Sequence, residues 1–300
     1  MSRQRYELRW LVGLILLMAF VVGNLRSIAN DEKVRPQKSD TAKANKEVDG
    51  AAAKRDDEEE SSARIHIKKM AEQCVFEFAE KPEGESAPFK MREEPLLRYG
   101  DPARDIGASE LWTWMDEDVP AMFQKIEVNV HQGSNDKWTW CFSNGSSQKV
   151  KCGWPSVRTQ TVTVDPVALQ PVPGNPEVKT NPTALALSAR QISRKFTSRG
   201  GENELRLMPR PLMEFKSEKK GISYGAVYGM ASGTNPSVLL VLQAEKTDSG
   251  ERWVFRGVHM TADKVFLLFD GNSVWEEPEQ SPSKVSTWGY YFSFRDAHIK

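Results

Sequence analysis

Residues 109–142 read SELWTWMDEDVPAMFQKIEVNVHQGSNDKWTWCF, and residues 225–257 read GAVYGMASGTNPSVLLVLQAEKTDSGERWVFRG. The second stretch follows the pattern of the first at a fixed distance. Pro95 to Pro211 and Pro120 to Pro236 are both 116 positions apart (211−95 and 236−120). One position is lost in the next loop, so Trp138 meets Trp253 at 115 (253−138), as Lys149-Val150 meets Lys264-Val265. Strand side chains alternate with period two, so an even offset keeps matched residues on matched faces. Met122, Ile126 and Val128 share one face, and so do Val238, Leu242 and Ala244; Gln124 stands where the second copy has Leu240. A duplicated sheet-forming unit is expected.

A helix is expected before each set of strands. Ile67, Ala71, Cys74 and Phe78 fall at i, i+4, i+7 and i+11. Leu185, Ala189, Ile192 and Phe196 repeat that spacing 118 positions on (185−67), the extra two positions belonging to a longer loop before Phe89. Strand-like runs follow. Phe89-Lys90-Met91 matches Leu205-Arg206-Leu207, and the run from Pro95 to Tyr99 matches that from Pro211 to Phe215. Asn144-Gly145 signals a hairpin. Gly200-Gly201 reads as a helix stop, and Asp248-Ser249-Gly250 as a turn. Between the units, Pro155, Pro166, Pro171, Pro173, Pro176 and Pro182 predict an extended connector. Its residues 159–164, TQTVTV, also read as an edge strand of the first unit. Residues 285–294 put Trp288, Tyr290, Phe292 and Phe294 on one face and are expected to close the second unit's sheet.

The N-terminus has Arg3, Arg5 and Arg9 ahead of residues 10–25, WLVGLILLMAFVVGNL, which carry no charge. A helix of that length spans about 24 Å, a little less than the hydrocarbon core. Residues 1–29 are therefore either a cleaved signal peptide, with Ser27-Ile28-Ala29 at the cleavage site, or an uncleaved membrane anchor. Both place the rest of the chain outside the cytoplasm, secreted or tethered. Residues 30–64 have almost no large apolar side chain and are expected to be a disordered linker. The acidic run at 56–60 belongs to it as a solvated stretch.

Charges balance at 41 against 41, so no global field draws nucleic acid. The cysteines, Cys74, Cys141 and Cys152, leave one over whatever pairs, and a hairpin at Asn144-Gly145 sets Cys141 and Cys152 diagonally. No Cys/His spacing suits zinc. The histidines His66, His131, His259 and His298 form no i, i+4 pair, and no nucleophile elbow or phosphate loop is present. No cofactor, metal site or catalytic residue is assigned. Asp116-Glu117-Asp118 stands where the second copy has Ser232-Gly233-Thr234, and reads as turn chemistry. Trp112, Trp114, Trp138 and Trp140 alternate along two strands and are the candidate ligand-binding residues. Exposed in a row they make a platform for sugar rings or extended chains; buried, they are the face that packs on the helix. Their second-copy counterparts Tyr228, Met230, Trp253 and Phe255 favour burial.

The element Leu205-Arg206-Leu207-Met208-Pro209-Arg210-Pro211-Leu212-Met213-Glu214-Phe215, with its weaker first copy through Pro95, resembles bacterial secreted or membrane-tethered proteins carrying a tandem LRLxPxPLxxF-type repeat. That resemblance covers residues 66–294 and implies no known activity, so it assigns no residue a role. One helix followed by a curled antiparallel meander is also similar to cystatin-like and NTF2-like units, a likeness of fold alone.

The expected fold class is α+β, two tandem repeats of one helix packed on an antiparallel sheet. The expected organisation is residues 1–29 signal or anchor, 30–64 linker, 65–164 first repeat, 165–182 connector and 183–300 second repeat. The expected function is a non-enzymatic binding or scaffold protein of the cell envelope. Its partner is a protein or an envelope polymer, its membrane contact the N-terminal segment. A hydrolase or isomerase with a site in a concave sheet face, and a carbohydrate-binding module, are the alternatives.

Overall fold

A computed structural model describes residues 62–80, 87–129, 137–154, 160–280 and 288–293, the last by backbone alone. Residues 1–29, expected from the sequence to be a signal or anchor, and almost all of 30–64, expected to be a linker, lie outside the described residues, as do His131 and His298. All described residues fall within one compact unit, 53–300. Among them, no helix is long and apolar enough to cross a membrane.

The expectation of an α+β chain of two repeats, each one helix on a sheet, is overturned. The chain is mostly β. Among the described residues two α-helices, α1 (62–72) and α2 (Pro182–Ser193), accompany eighteen strands in large antiparallel sheets. The first half contributes β1 (Val75–Phe78), β2 (Lys90–Met91), β3 (Leu97–Asp101), β4 (Ile106–Asp116), β5 (Val119–Asn129), β6 (Lys137–Asn144), β7 (Val150–Trp154) and β8 (Gln160–Val164). A short strand β9 (Gln170–Pro171) precedes α2. The second half contributes β10 (Phe196–Gly200), β11 (Asn203–Leu207), β12 (Met213–Ser217), β13 (Ile222–Ser232), β14 (Asn235–Thr247), β15 (Gly250–His259), β16 (Val265–Phe269) and β17 (Asn272–Glu277). The last strand is β18 (Trp288–Ser293).

One sheet runs β18-β6-β5-β4-β2, with β3 also on β4; a small one runs β1-β7-β8. The third runs β17-β16-β10-β11-β13-β14-β15-β9, with β12 also on β13. Each main sheet has two buried faces. On one, α1 and the small sheet cover β4, β5 and β6 through Ile67, Met70, Phe76, Trp112, Trp140 and Phe142. In the second half, α2, β10, β16 and β17 cover β13, β14 and β15 through Leu185, Ile192, Phe196, Leu240, Trp253 and Phe255. The opposite faces pack on each other, joining Leu111 and Phe123 to Val227, Leu239, Val241 and Val258. The helices are minor parts of the outer layers. Along β5 the polar Lys125 and Glu127 alternate with Met122, Ile126 and Val128, a pattern that normally marks a solvated face, so the sequence alone does not show that this second face is covered.

Several local expectations also change. The helical stripe ends early: helical backbone stops at 72, and Phe78 lies in β1, where Phe76 and Phe78 alternate inward with Val75 and Glu77. Phe196 likewise opens β10, and α2 ends at Ser193. Gly201 turns the β10–β11 hairpin at φ +58°, a conformation that suits glycine. Asn144-Gly145 makes no hairpin. The Asn144 side chain donates to Gln148 O at 2.7 Å and Asp165 O at 2.9 Å, and β6 leads across to β7 in the other layer. A Cβ at Gly145 would lie 2.5 Å from the Phe123 ring, so glycine is needed for that close approach. Finally, β18 pairs with β6, the first half's sheet, and β9 pairs with β15 of the second.

Pro120 and Pro236 have a shared physical role. Register shifts fall between Trp114 and Met115 and between Met230 and Ala231, where Met115 faces Pro120 and Ala231 faces Pro236. Proline cannot donate to the ladder, so each long hairpin carries a bulge there. At α2, Asn181 accepts from Ala184 N at 2.8 Å and Pro182 starts the helix without wasting a donor.

Candidate functional site

The four candidate tryptophans are core. Trp112, Trp114, Trp138 and Trp140 are at most 7% exposed and face α1 and the small sheet. Trp114 meets Phe76 edge-on at 4.7 Å, and the His66 ring of α1 lies tilted at 5.0 Å from Trp138. The structure brings all four to one layer but leaves their faces against protein. Arg64 of α1 reaches the buried Glu110 at 3.5 Å, with Arg98 on the same carboxylate at 3.2 Å. Burial raises the Glu110 pKa, and the two arginines oppose that rise.

The acids of the β4–β5 turn are engaged. Asp116 pairs with Lys220 and Glu117 with Lys219, both from the β12–β13 turn of the other half. Glu117 holds φ +58° where the second half's matching turn has Gly233 at +76°. That second turn packs in the reciprocal place: Thr234 Oγ1 donates to Gly100 O of the first half. Each long hairpin thus grips the opposite sheet at its tip.

Between the two sheets lies a buried polar seam that was not singled out from sequence. Glu127 Oε1 accepts from Tyr99 OH at 2.7 Å and from Asn235 Nδ2 at 2.8 Å, and stands 3.3 Å from Lys125 Nζ. Lys125 also donates to Asn235 Oδ1 at 2.7 Å and Pro236 O at 3.1 Å. Burial, reinforced by the Glu127 carboxylate, raises the Tyr99 hydroxyl pKa well above its ordinary value. Cys141, beside the same carboxylate, is pushed up to about 12, again chiefly by burial. His259, at the end of β15, is also buried, its Nε2 donating to Asp263 O at 2.8 Å in the tautomer the carbonyl requires. Burial lowers its pKa to about 4, and Lys125 adds to that. Arg256 is a further buried cation, bonded to Val167 O at 3.0 Å and lowered to about 10 by burial. All three cysteines are free and buried. Cys152 faces the outer core and Cys141 the seam, so the strands place them on different faces.

One open cleft of about 650 Å³ lies in the second half, between the C-terminal end of α2 and the β10–β11 hairpin. Arg190, Arg194, Arg199 and Arg206 line it, with Glu204 and the hydroxyls of Ser193, Thr197, Ser198 and Tyr228. Phe196, Leu205, Leu207 and Met208 give it apolar wall. Sequence reading missed it, although Arg190 and Arg194 sit at i, i+4, a like-charge spacing unfavourable on an isolated helix. Among the described residues no cluster of His, Cys, Asp or Glu is arranged to hold a metal ion. Comparison with family models, with curated proteins and with solved structures finds no match for this chain.

Proposed function

We propose that this chain is a non-enzymatic binding or scaffold protein of the cell envelope, held outside the cytoplasm by its N-terminal segment. The observation that carries the reading is the seam. Tyr99, Lys125, Glu127 and Asn235 bond one another across the two sheets, with Lys125 3% and Glu127 7% exposed. Groups held this way align two layers into one body; they are not poised toward a cavity where a substrate could meet them. A rigid two-sheet body behind a polar linker and an uncharged N-terminal segment suits a tethered binder. The buried tryptophans lend nothing to a carbohydrate platform, because their ring faces are occupied by protein.

Two measurements test this. A reporter active only outside the cytoplasm, fused after residue 64, should be exported; a reporter retained inside ends the envelope reading. Full-length protein should also co-sediment with isolated cell envelope, and variants that weaken the fold should lose that association together with their folded signal. Soluble behaviour of the folded protein alongside washed envelopes would end the scaffold reading.

A further inference from the structure

We propose that the arginine-lined cleft at the end of α2 binds a phosphate group carried by a small ligand, an inference that rests on the binding reading and names the chemistry of what is bound. Arg190, Arg194, Arg199 and Arg206 all line this one cleft, and none makes an ion pair among the described residues. Glu204 is the one acid in the lining, so the site carries a surplus of positive charge. Arg190, in the last turn of α2, also complements the helix dipole, which gives that one a structural use. Arg194, the C-cap residue of the same helix, shares that use, but the pair at i, i+4 still repels until an anion lies between or beside them. Guanidinium is the group suited to this. It cannot lose its proton, is weakly hydrated, and its fork of donors matches phosphate oxygens.

The second, independent observation is Tyr228. Its side chain is 1% exposed, it lines the cleft, and no hydrogen bond of good geometry satisfies its hydroxyl, although the Ser193 side chain lies close enough to interact with it. A buried hydroxyl left without a partner costs stability, so its retention in the wall of an open cleft points to a ligand that supplies the acceptor. Of the neighbouring hydroxyls in the lining, Ser198 Oγ already donates to Phe266 O at 2.7 Å, and Thr197, on the exposed face of β10, is the further donor. The lining draws its donors from the helix end, the hairpin and the central strand β13. That arrangement fits a tetrahedral dianion better than a flat carboxylate, and the surplus cations match its charge. The wall of Phe196, Leu205, Leu207 and Met208 leaves room for a partly apolar body such as a sugar ring or the start of an acyl chain. The first half has no equivalent: at the offsets of 118 and 116, Glu72 and Trp112 stand where Arg190 and Tyr228 do.

The test uses the full-length protein in detergent, titrated calorimetrically with inorganic phosphate, glucose 1-phosphate and glucuronate. Vesicles of phosphatidylcholine with and without phosphatidate are tested in parallel by flotation. Wild type should bind the phosphate probes, more weakly as salt rises. Arg194→Gln and Arg206→Gln should each weaken binding about tenfold or more. Tyr228→Phe should weaken it several-fold while melting close to wild type, because the lost hydroxyl makes no hydrogen bond of good geometry in the free protein. Binding of glucose 1-phosphate but not phosphatidate vesicles assigns a soluble ester; the reverse assigns a lipid headgroup. No binding of any phosphate probe, binding of glucuronate alone, or unchanged affinity in all three variants overturns the proposal. If phosphate binding fails while the protein still sediments with envelope, the cleft is refuted and the scaffold reading stands. If phosphate binds but the reporter stays cytoplasmic, the envelope reading fails alone.

Discussion

Removing Lys125 alone should unfold a large part of what the seam holds, and removing Glu127 with it should restore much of the loss. Lys125→Met keeps the length of the side chain and deletes its charge. Asn235 Oδ1 and Pro236 O, now 2.7 and 3.1 Å from Nζ, lose their donor, and Glu127 is left buried beside two neutral donors. Breaking a buried ion pair from one side costs about 3–5 kcal/mol, mostly through the charge left behind. Glu127→Gln keeps shape, leaves Lys125 as the stranded charge, and should cost a similar amount. In the double variant neither charge is stranded. Its cost should fall short of the sum of the singles by about 2 kcal/mol, within the range for residues in direct contact. These are large shares of a domain stability of about 5–15 kcal/mol. The assay is urea unfolding at neutral pH followed by tryptophan fluorescence, since the buried Trp112, Trp140 and Trp253 report both halves. Costs under about 1 kcal/mol for both singles, or strictly additive costs, would show that the pair is solvated and that the sheets do not close over it.

Three further outcomes are expected. His259 has a folded pKa near 4 against an ordinary 6.5, so it is held neutral; the unfolded chain binds its proton first, and stability falls as pH drops from about 6.5 to about 4. The loss should reach about 3 kcal/mol at the acid end, and His259→Gln should flatten that slope relative to wild type in an acid series of urea melts; an unchanged slope would mean the ring is already wet. Trp138→Ala and Trp253→Ala should each cost about 3–5 kcal/mol and lower the melting temperature, as truncation of a buried indole does; a wild-type melt for either would return that ring to the surface. Cys74 and Cys141, both pushed up to about 12 by burial, and Cys152, raised by the same cause, should resist a thiol reagent in the native protein and react only on unfolding; rapid labelling of the native protein would contradict their burial.

The strands and their faces were legible because period-two alternation and the spacing of Pro95, Pro120, Pro211 and Pro236 are local features. Trp112, Trp138 and Trp253 were correctly favoured as core, since Met and Phe replace their neighbours at matched positions. What covers the second face was not legible. Lys125 and Glu127 alternate with Met122, Ile126 and Val128, and such a pattern normally marks the solvated side of a sheet. Only the partners, Asn235 and Pro236 from beyond residue 230, convert it into an interior. The helix boundaries failed for a different reason. At Phe78 and Phe196 the helical spacing and the strand phase both point inward, so periodicity alone could not show where one ended. The cleft was invisible because its members come from a helix end, a hairpin and a central strand, elements that only the fold brings together.

The placement of charge in the seam also bears on why the two sheets find each other. An apolar face of this size could pack in many registers, or against another copy of the chain. A buried Lys125–Glu127 pair is satisfied in the register that presents Asn235 and Pro236 to it, and any slip strands two charges. The hairpin tips add a second, outer condition: Asp116 and Glu117 need Lys220 and Lys219, and the Gly233-Thr234 turn needs the Gly100 carbonyl. Exposed pairs of this kind contribute little stability, but they sit at opposite ends of the contact and oppose rotation of one sheet over the other. The polar seam therefore trades some stability for a fixed orientation. Orientation is what the second half's cleft depends on, because its floor residue Tyr228 projects from β13, whose other face is the one pressed against the seam. Replacing the seam by apolar residues should accordingly leave a folded protein whose cleft arginines titrate phosphate less tightly than in wild type, even though none of the replaced residues touches the cleft.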